Sequence, residues 1–292
     1  MNSPLVSILI PNYNKALYLR ETLDSVLSQT YQNWECIIVD DLSTDASWEI
    51  LEEYKELDTR FHIFKRPFNL SKGANTCRNF AFQLSKGEFI NWFDSDDLMF
   101  KDFIYKKIVF ILKHPKFDCV ISRPTSFDND IKCYENWIPK YENMLVDYLL
   151  KDIHFTTPGP LFKRNVLEDV DLFNNEIPVG QEKEFYFRLL VKGMRVFVLD
   201  FFSYKYRVSD DSIVSSHIQK NKPYLSLMYK YFIARTIVFD CKNIIVYKSY
   251  IIIPLKSFIY SCVVNLKLKY ALKAIFILSI YYVRSRKILF LT

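Results

Sequence analysis

The sequence predicts an α/β protein whose mostly parallel central sheet carries helices on both faces, followed by a basic, apolar helical tail. Three observations predict it. Short apolar runs alternate with stretches of helical spacing through the first 120 residues. Three of those runs end directly in a cluster of Asn or Asp. From about Lys220 the composition turns aromatic, Ile-rich and punctuated by Lys. Strand–helix alternation with short connections yields a parallel sheet, and such sheets are covered on both sides.

The elements follow in order. Leu5–Ile10 is an apolar run closed by Pro11, as a buried strand would be, and Leu19, Leu23, Val26 and Leu27 then recur at helical spacing. Cys36–Val39 reads as a second strand ending in Asp40 and Asp41. Trp48, Leu51 and Tyr54 predict a short helix, Phe61–Phe64 a third strand, and Ala74 to Leu84 a helix packed by Ala74, Cys77, Ala81 and Leu84. Phe89–Phe93 is a fourth strand that runs into Asp94, Ser95, Asp96 and Asp97. A helix from Lys101 to His114 and a strand around Cys119–Ser122 complete the first half. Beyond it the pattern loosens. Pro158-Gly159-Pro160 marks a turn, a helix begins at Gly180, and Arg195–Leu199 reads as a strand.

Composition narrows the function classes. Half of the 292 residues are hydrophobic and 25% are charged, which excludes disorder. The five glycines, at 73, 87, 159, 180 and 193, form neither G-x-G-x-x-G nor a Gly-rich P-loop, so a nucleotide here needs side chains and a metal. Net charge is +6, yet residues 241–292 hold nine basic residues and no acid, leaving 30 basic against 33 acidic residues before them. A nucleic-acid-wrapping patch is therefore not a property of the main domain. The six cysteines make no C-x-x-C pair and the four histidines no ligand spacing, which predicts reduced, buried thiols. The N-terminus has no basic n-region, which predicts a cytoplasmic catalytic part.

The polar clusters Asn12–Asn14, Asp40–Asp45 and Asp94–Asp97 each follow a predicted strand, so they should converge at the carboxyl edge of the sheet, where such folds bind ligands. Asp94, Asp96 and Asp97 repel one another without a cation, and oxygen-only ligands suit Mg2+ or Mn2+ bridging to phosphates. The same acids could instead serve as a helix N-cap with solvated neighbours. Likewise Asp41 is either a turn residue or an acceptor for a base imide or sugar hydroxyl, with Asp45 capping the next helix.

Several segments together resemble the family 2 glycosyltransferases. They are Val6 to Asn14, Leu23 to Thr30, Ile38 to Asp45, Ala74 to Asn79, Gly87 to Ile90 and Asp94-Ser95-Asp96-Asp97, in the expected order, and the resemblance covers about residues 4–215. It implies a GT-A fold and inverting transfer from a nucleotide sugar, a UDP-sugar, to a hydroxyl of a saccharide or lipid-linked acceptor, as in cell-surface polysaccharide assembly. By that resemblance Pro11 and Tyr13 lie against the base, Asp41 contacts it, and Arg78 belongs to the donor-side helix. Asp94 and Asp96 match the D-x-D pair, with Asp96 in direct contact with Mn2+ or Mg2+. Glu182 stands where the family's base is usually Asp, and Glu184 is the competing candidate, read instead as a solvated helix residue. Thr157 to Arg164 resembles the acceptor-side segment, and Tyr206 to Ser209 a late segment that often carries His where Ser209 stands.

The resemblance divides the chain into a transferase domain over 1–215, with a donor half 1–123 and an acceptor half 124–215, and a helical extension over 216–292. Lys256, Lys267, Lys269 and Lys273 interrupt Ile251–Val283, so no stretch reaches the roughly 18 uncharged residues of a spanning helix. Amphipathic helices on the anionic inner face of the cell membrane fit that pattern, as do helices packed on the domain or on a second subunit. Two rival functions are a nucleotidyltransferase, which commonly has a Gly-rich basic loop after its first strand, and a non-catalytic nucleotide-sugar-binding module.

Overall fold

The computed structural model describes residues 3–126, 144–149, 155–207, 223–241 and 247–289. Contacts group the chain into two compact units, one of residues 1–175 and 194–208, the other of residues 176–193 and 209–292.

Among the described residues the first unit is an eight-stranded sheet flanked by helices. Its strands are β1 (Val6–Asn12), β2 (Trp34–Asp40), β3 (Phe61–Lys65), β4 (Phe89–Trp92), β5 (Leu98–Met99), β6 (Cys119–Ser126), β7 (Leu161–Lys163) and β8 (Val196–Tyr206), in the order β3-β2-β1-β4-β7-β6-β8-β5. The connections carry α1 (Ala16–Leu27), α2 (Ser47–Leu57), α3 (Ala74–Leu84), α4 (Phe103–Lys113), α5 (Met144–Leu149) and α6 (Asn165–Glu168). β3, β2, β1 and β4 are parallel, in the register Ile8↔Cys36, Cys36↔Phe61 and Ile8↔Asn91. Every residue of β1, β2 and β4 is buried, as in parallel strands covered on both faces. The core beneath them joins Ile8, Ile10 and Ile38 to Leu19, Leu23 and Val26 of α1 and to Phe93, Phe103 and Ile104.

β7 joins β4 antiparallel, β6 pairs with β7 antiparallel and with β8 parallel, and β5 adds an antiparallel edge to β8. The two- and three-residue strands β5 and β7 are too short to carry a period, so no strand was expected at Leu98–Met99. β1 also runs past Pro11. Asp41 donates its N–H to the Asn12 carbonyl and Phe93 donates to the Leu9 carbonyl, so Pro11 faces the β4 side. Since β4 stops at Trp92, the missing proline N–H costs little there. β8 is longer than the expected Arg195–Leu199, and its pairing with β6 shifts register between Ser122 and Pro124. That irregularity breaks the alternation a sequence pattern needs.

The second unit is helical: α7 (Gln181–Val191), α8 (Pro223–Asp240), α9 (Lys248–Val264) and α10 (Leu268–Leu289). α8, α9 and α10 pack on one another, and α7 packs on α8. Among the described residues no helix is long and apolar enough to cross a membrane. Cys36, Cys77, Cys119, Cys241 and Cys262 are free and buried; Cys133 lies outside the described residues.

Candidate active site

The loops after β1 and β2 are stitched into one floor. Buried Asp40 accepts from Asn12 Nδ2 at 2.8 Å, from the Ser43 N–H at 2.8 Å and from Ser43 Oγ at 2.5 Å. Asn14 donates its N–H to Ser43 Oγ at 2.9 Å, and its Oδ1 accepts the Thr44 N–H at 2.8 Å. Asn14 and Leu42 turn these loops with φ of 51° and 60°, a conformation that Asn tolerates better than most residues. Asp45 accepts the Ala16 N–H and the Ser47 N–H, each at 3.0 Å, so one carboxylate serves the starts of both α1 and α2. Burial pushes its carboxyl up, but bonds from Ser47 and from the Ala16 and Ser47 backbone outweigh this and leave it below its ordinary value.

On this floor Asp41 is almost dry. Arg66 Nε donates to its Oδ1, and the Gly73 N–H donates to its Oδ2 at 2.9 Å. The Arg66 guanidinium also reaches the Pro67 carbonyl at 3.1 Å and the Leu70 carbonyl at 2.5 Å, so the pair ties the end of β2 to the β3–α3 loop. Tyr13 is exposed, and Lys72 Nζ lies 3.8 Å from its ring centroid. Pro11 is buried within β1.

The acidic turn after β4 forms the next wall. Arg78, buried on α3, donates to Asp94 Oδ1 at 2.7 Å, while its Nε is buried and unbonded. Lys15 Nζ meets Asp96 Oδ2 at 2.5 Å. The Asp94 and Asp96 side chains are 24% and 20% exposed, so both keep an open edge. Asp97 is a different kind of residue, 1% exposed, with Oδ1 accepting the Arg207 N–H at 2.9 Å and Oδ2 bonded to nothing. Burial, reinforced by the neighbouring Asp94 and Asp96, pushes its carboxyl well up against the pull of Arg207. Asp97 is thus a buried support of the turn, with Thr22 Oγ1 on its carbonyl at 2.9 Å and Arg207 Nε on the Asp96 carbonyl at 2.9 Å.

Among the described residues no group of three or more His, Cys, Asp and Glu could hold a metal. The pair Asp94 and Asp96 fits the other arrangement used for Mg2+ and Mn2+, one or two carboxylates completed by substrate phosphates. Lys15 and Arg78 neutralise the two carboxylates in the chain alone. Sequence reasoning missed Lys15 and Arg66, which stand 81 and 25 residues from their partners. The only signal was position, each directly following a strand or a strand-end cluster.

The Pro158–Pro160 turn is held from within the same unit. Asn91 Nδ2 donates to the carbonyls of Pro158 and Pro160 at 2.9 and 2.7 Å, and Lys107 Nζ to that of Gly159 at 2.6 Å. Burial holds the Lys107 ammonium well below the ordinary lysine value. Of the late segment, Tyr206 and Arg207 are described; Ser209 lies outside the described residues.

In the second unit Glu182 sits in the first turn of α7 and is half-buried. Gly180 caps that helix in the left-handed region, with φ of 73°, and a Cβ there would come within 2.7 Å of the Tyr229 ring. Both conditions demand glycine. Burial raises the Tyr229 hydroxyl, and the charge of Glu182 raises it further. Glu184 is not the solvated residue expected from sequence. It is 2% exposed and paired with Arg188 Nε at 2.6 Å, because the i,i+4 spacing lets Arg188 follow it into the interior.

A family model described as "Glycosyl transferase family 2" matches residues 7–171. A Bacillus subtilis glycosyltransferase named for teichuronic acid biosynthesis is 30% identical over 215 residues, 73% of this chain and 82% of that protein. The UDP-Glc:alpha-D-GlcNAc-diphosphoundecaprenol beta-1,3-glucosyltransferase of Escherichia coli is 46% identical over 93 residues, 32% of this chain and 36% of its own. Among solved structures, a mannosyltransferase of Pyrobaculum calidifontis in complex with GDP-Man and Mn2+ superposes with a TM-score of 0.64 at 16% identity, covering 94% of this chain and 79% of that one.

Proposed function

The chain belongs to glycosyl transferase family 2, and on that premise we propose that it moves a sugar from a UDP-sugar to a hydroxyl of a saccharide or lipid-linked saccharide, with inversion. The observation that carries this reading is the sheet edge at the ends of β1, β2 and β4. There two accessible carboxylates, Asp94 and Asp96, lie beside two cations, Lys15 and Arg78, on the same unit as the Asp41–Arg66 pair. A diphosphate needs cations, a metal needs carboxylates, and a base needs an acceptor and a flat face such as Tyr13.

In this reading Pro11, Tyr13 and Asp41 hold the nucleotide, and Arg78 fixes Asp94 on the donor side. Asp96, with Asp94, holds Mn2+ or Mg2+, which when bound supplies Lewis-acid stabilisation of the negative charge on the departing diphosphate. Glu182 takes the proton of the acceptor hydroxyl as that oxygen attacks the anomeric carbon. The new C–O bond forms on one face while the bond to the diphosphate breaks on the other, its electron pair leaving with UDP. A covalent sugar–enzyme intermediate is not required, and each product keeps a balanced charge and proton count. The diphosphoundecaprenol in the name of the Escherichia coli relative supports a lipid-linked acceptor, and the basic, acid-free residues 241–292 support a peripheral place on the inner face of the membrane.

The test is a product assay over a panel of nucleotide sugars with Mn2+ and a lipid-linked saccharide. UDP release that stops with chelator and returns with metal supports the reading. Pyrophosphate release would make the protein a nucleotidyltransferase, and tight binding without turnover would make it a binding module.

A further inference from the structure

The turn between α9 and α10 carries large apolar side chains that are exposed among the described residues. Asn265–Lys267 joins the two helices, so the last turn of α9 and the first of α10 lie side by side at one tip. There Tyr260, Val264, Leu266, Leu268 and Leu272 are all exposed, Leu266 at 83% and Tyr260 at 74%. Exposed clusters of large apolar side chains mark interaction sites. Around the same tip Lys256, Lys267, Lys269 and Lys273 are exposed, and residues 241–292 contain no acid. A groove of about 510 Å3 opens beside it, lined in part by Lys256, Ser257, Tyr260 and Asn265.

We propose that this helical hairpin tip inserts into the surface of an anionic lipid bilayer, its apolar side chains entering the headgroup–acyl boundary while its lysines meet lipid phosphates. The inference deepens the membrane-proximal part of the function proposed above by naming the element that makes contact. Charge complementarity decides the occupant. A second copy of the same face would bring the four lysines against their own kind, whereas an anionic leaflet attracts each of them. Lysine stems also lie along apolar surface while their ammonium groups stay in the interface, and Tyr260 has the amphipathic ring favoured at that depth. No described helix is long and apolar enough to cross a membrane, and the contact proposed is insertion in the plane of the interface.

The test is flotation of the full chain with phosphatidylglycerol vesicles and with phosphatidylcholine vesicles. The expected result is binding to the first, loss of most binding in high salt, and little binding to the second. Leu266→Asp combined with Leu268→Asp should lower the vesicle partition by about tenfold or more, since charge at the tip cannot enter the boundary. Residue 266 has φ of 54°, which Asp accepts, and unchanged melting confirms the fold. Lys267→Gln with Lys269→Gln should weaken binding to the anionic vesicles alone. Equal partition of the Asp variant and the wild type overturns the proposal, as does a lipid-free dimer that the same substitutions dissolve. UDP binding, read by calorimetry on the same variants, should be unchanged; its absence in the wild type would count against the donor site and leave the vesicle result standing.

Discussion

Replacing Asp41 with alanine removes the anion from a pair whose side chains are only 5% and 7% exposed. Arg66 would keep the carbonyls of Pro67 and Leu70 as acceptors, but its charge would have no counterion, and the Gly73 N–H would lose its acceptor. Stripping one partner from a buried pair costs about 3–5 kcal/mol. The two carbonyls offset part of this, while the part-buried Gly73 N–H adds about 1 kcal/mol, so a net loss near the lower end, about 3 kcal/mol, is expected. At about 2–4 °C per kcal/mol, Asp41→Ala should melt roughly 10 °C below the wild type. Asp41→Asn retains one oxygen acceptor and should lose about half as much. Adding Arg66→Met to Asp41→Ala removes the orphaned charge and should recover several degrees. Calorimetry with UDP, run well below the lowered melting point, then reads the second role: a desolvated contact to the nucleotide is worth about 1–3 kcal/mol. A melting point within about 2 °C of wild type for Asp41→Ala, or a double variant no more stable than the single one, would refute the claim that this pair holds the loop.

Asp96→Ala should abolish the metal-dependent part of UDP binding while changing stability little, since the Lys15–Asp96 pair is partly exposed; a UDP affinity that still differs with and without chelator would sink the assignment. Glu182→Gln should keep donor binding and lower transfer about 10²–10⁴-fold, with Glu182→Asp retaining partial activity; near-full transfer in the Gln variant means another group is the base. Gly87→Ala should destabilise by about 1–3 kcal/mol or more, because the new Cβ would come within 2.6 Å of the Ser7 nitrogen and 2.9 Å of the Leu5 carbonyl oxygen, and a melt equal to wild type would disprove that packing. Lys107 is held below its ordinary value of 10.5, so its contribution to stability is present above that pH and lost as pH falls toward its folded value. Lys107→Met should remove this slope from the melting temperature measured against pH, and an unchanged slope would place its origin elsewhere.

The strand–helix order of the first 120 residues, and the strand ends on which Asp41, Asp94 and Asp96 stand, are legible in the sequence alone. Those signals are local: apolar runs too short for helices, i,i+3 and i,i+4 spacing, and polar clusters that follow each run. The ordered motifs determined the family as well, because several independent segments must agree. Which acid does which work emerges only in the folded chain. Asp40, Asp41, Asp94, Asp96 and Asp97 are chemically alike in sequence, and burial and partners separate them. Asp40 is bonded by Asn12 and Ser43, Asp41 is paired with Arg66 and the Gly73 N–H, and Asp97 is buried with the Arg207 N–H on its Oδ1, while Asp94 and Asp96 are the least buried of the five. Glu184 shows the same thing on α7, where a first-turn acid turned out to be an interior ion pair. The physical reason is that a carboxylate's role depends on the dielectric around it and on the donors that reach it. Those donors arrive from 25, 32, 81 or 110 residues away, through a fold that no local pattern encodes.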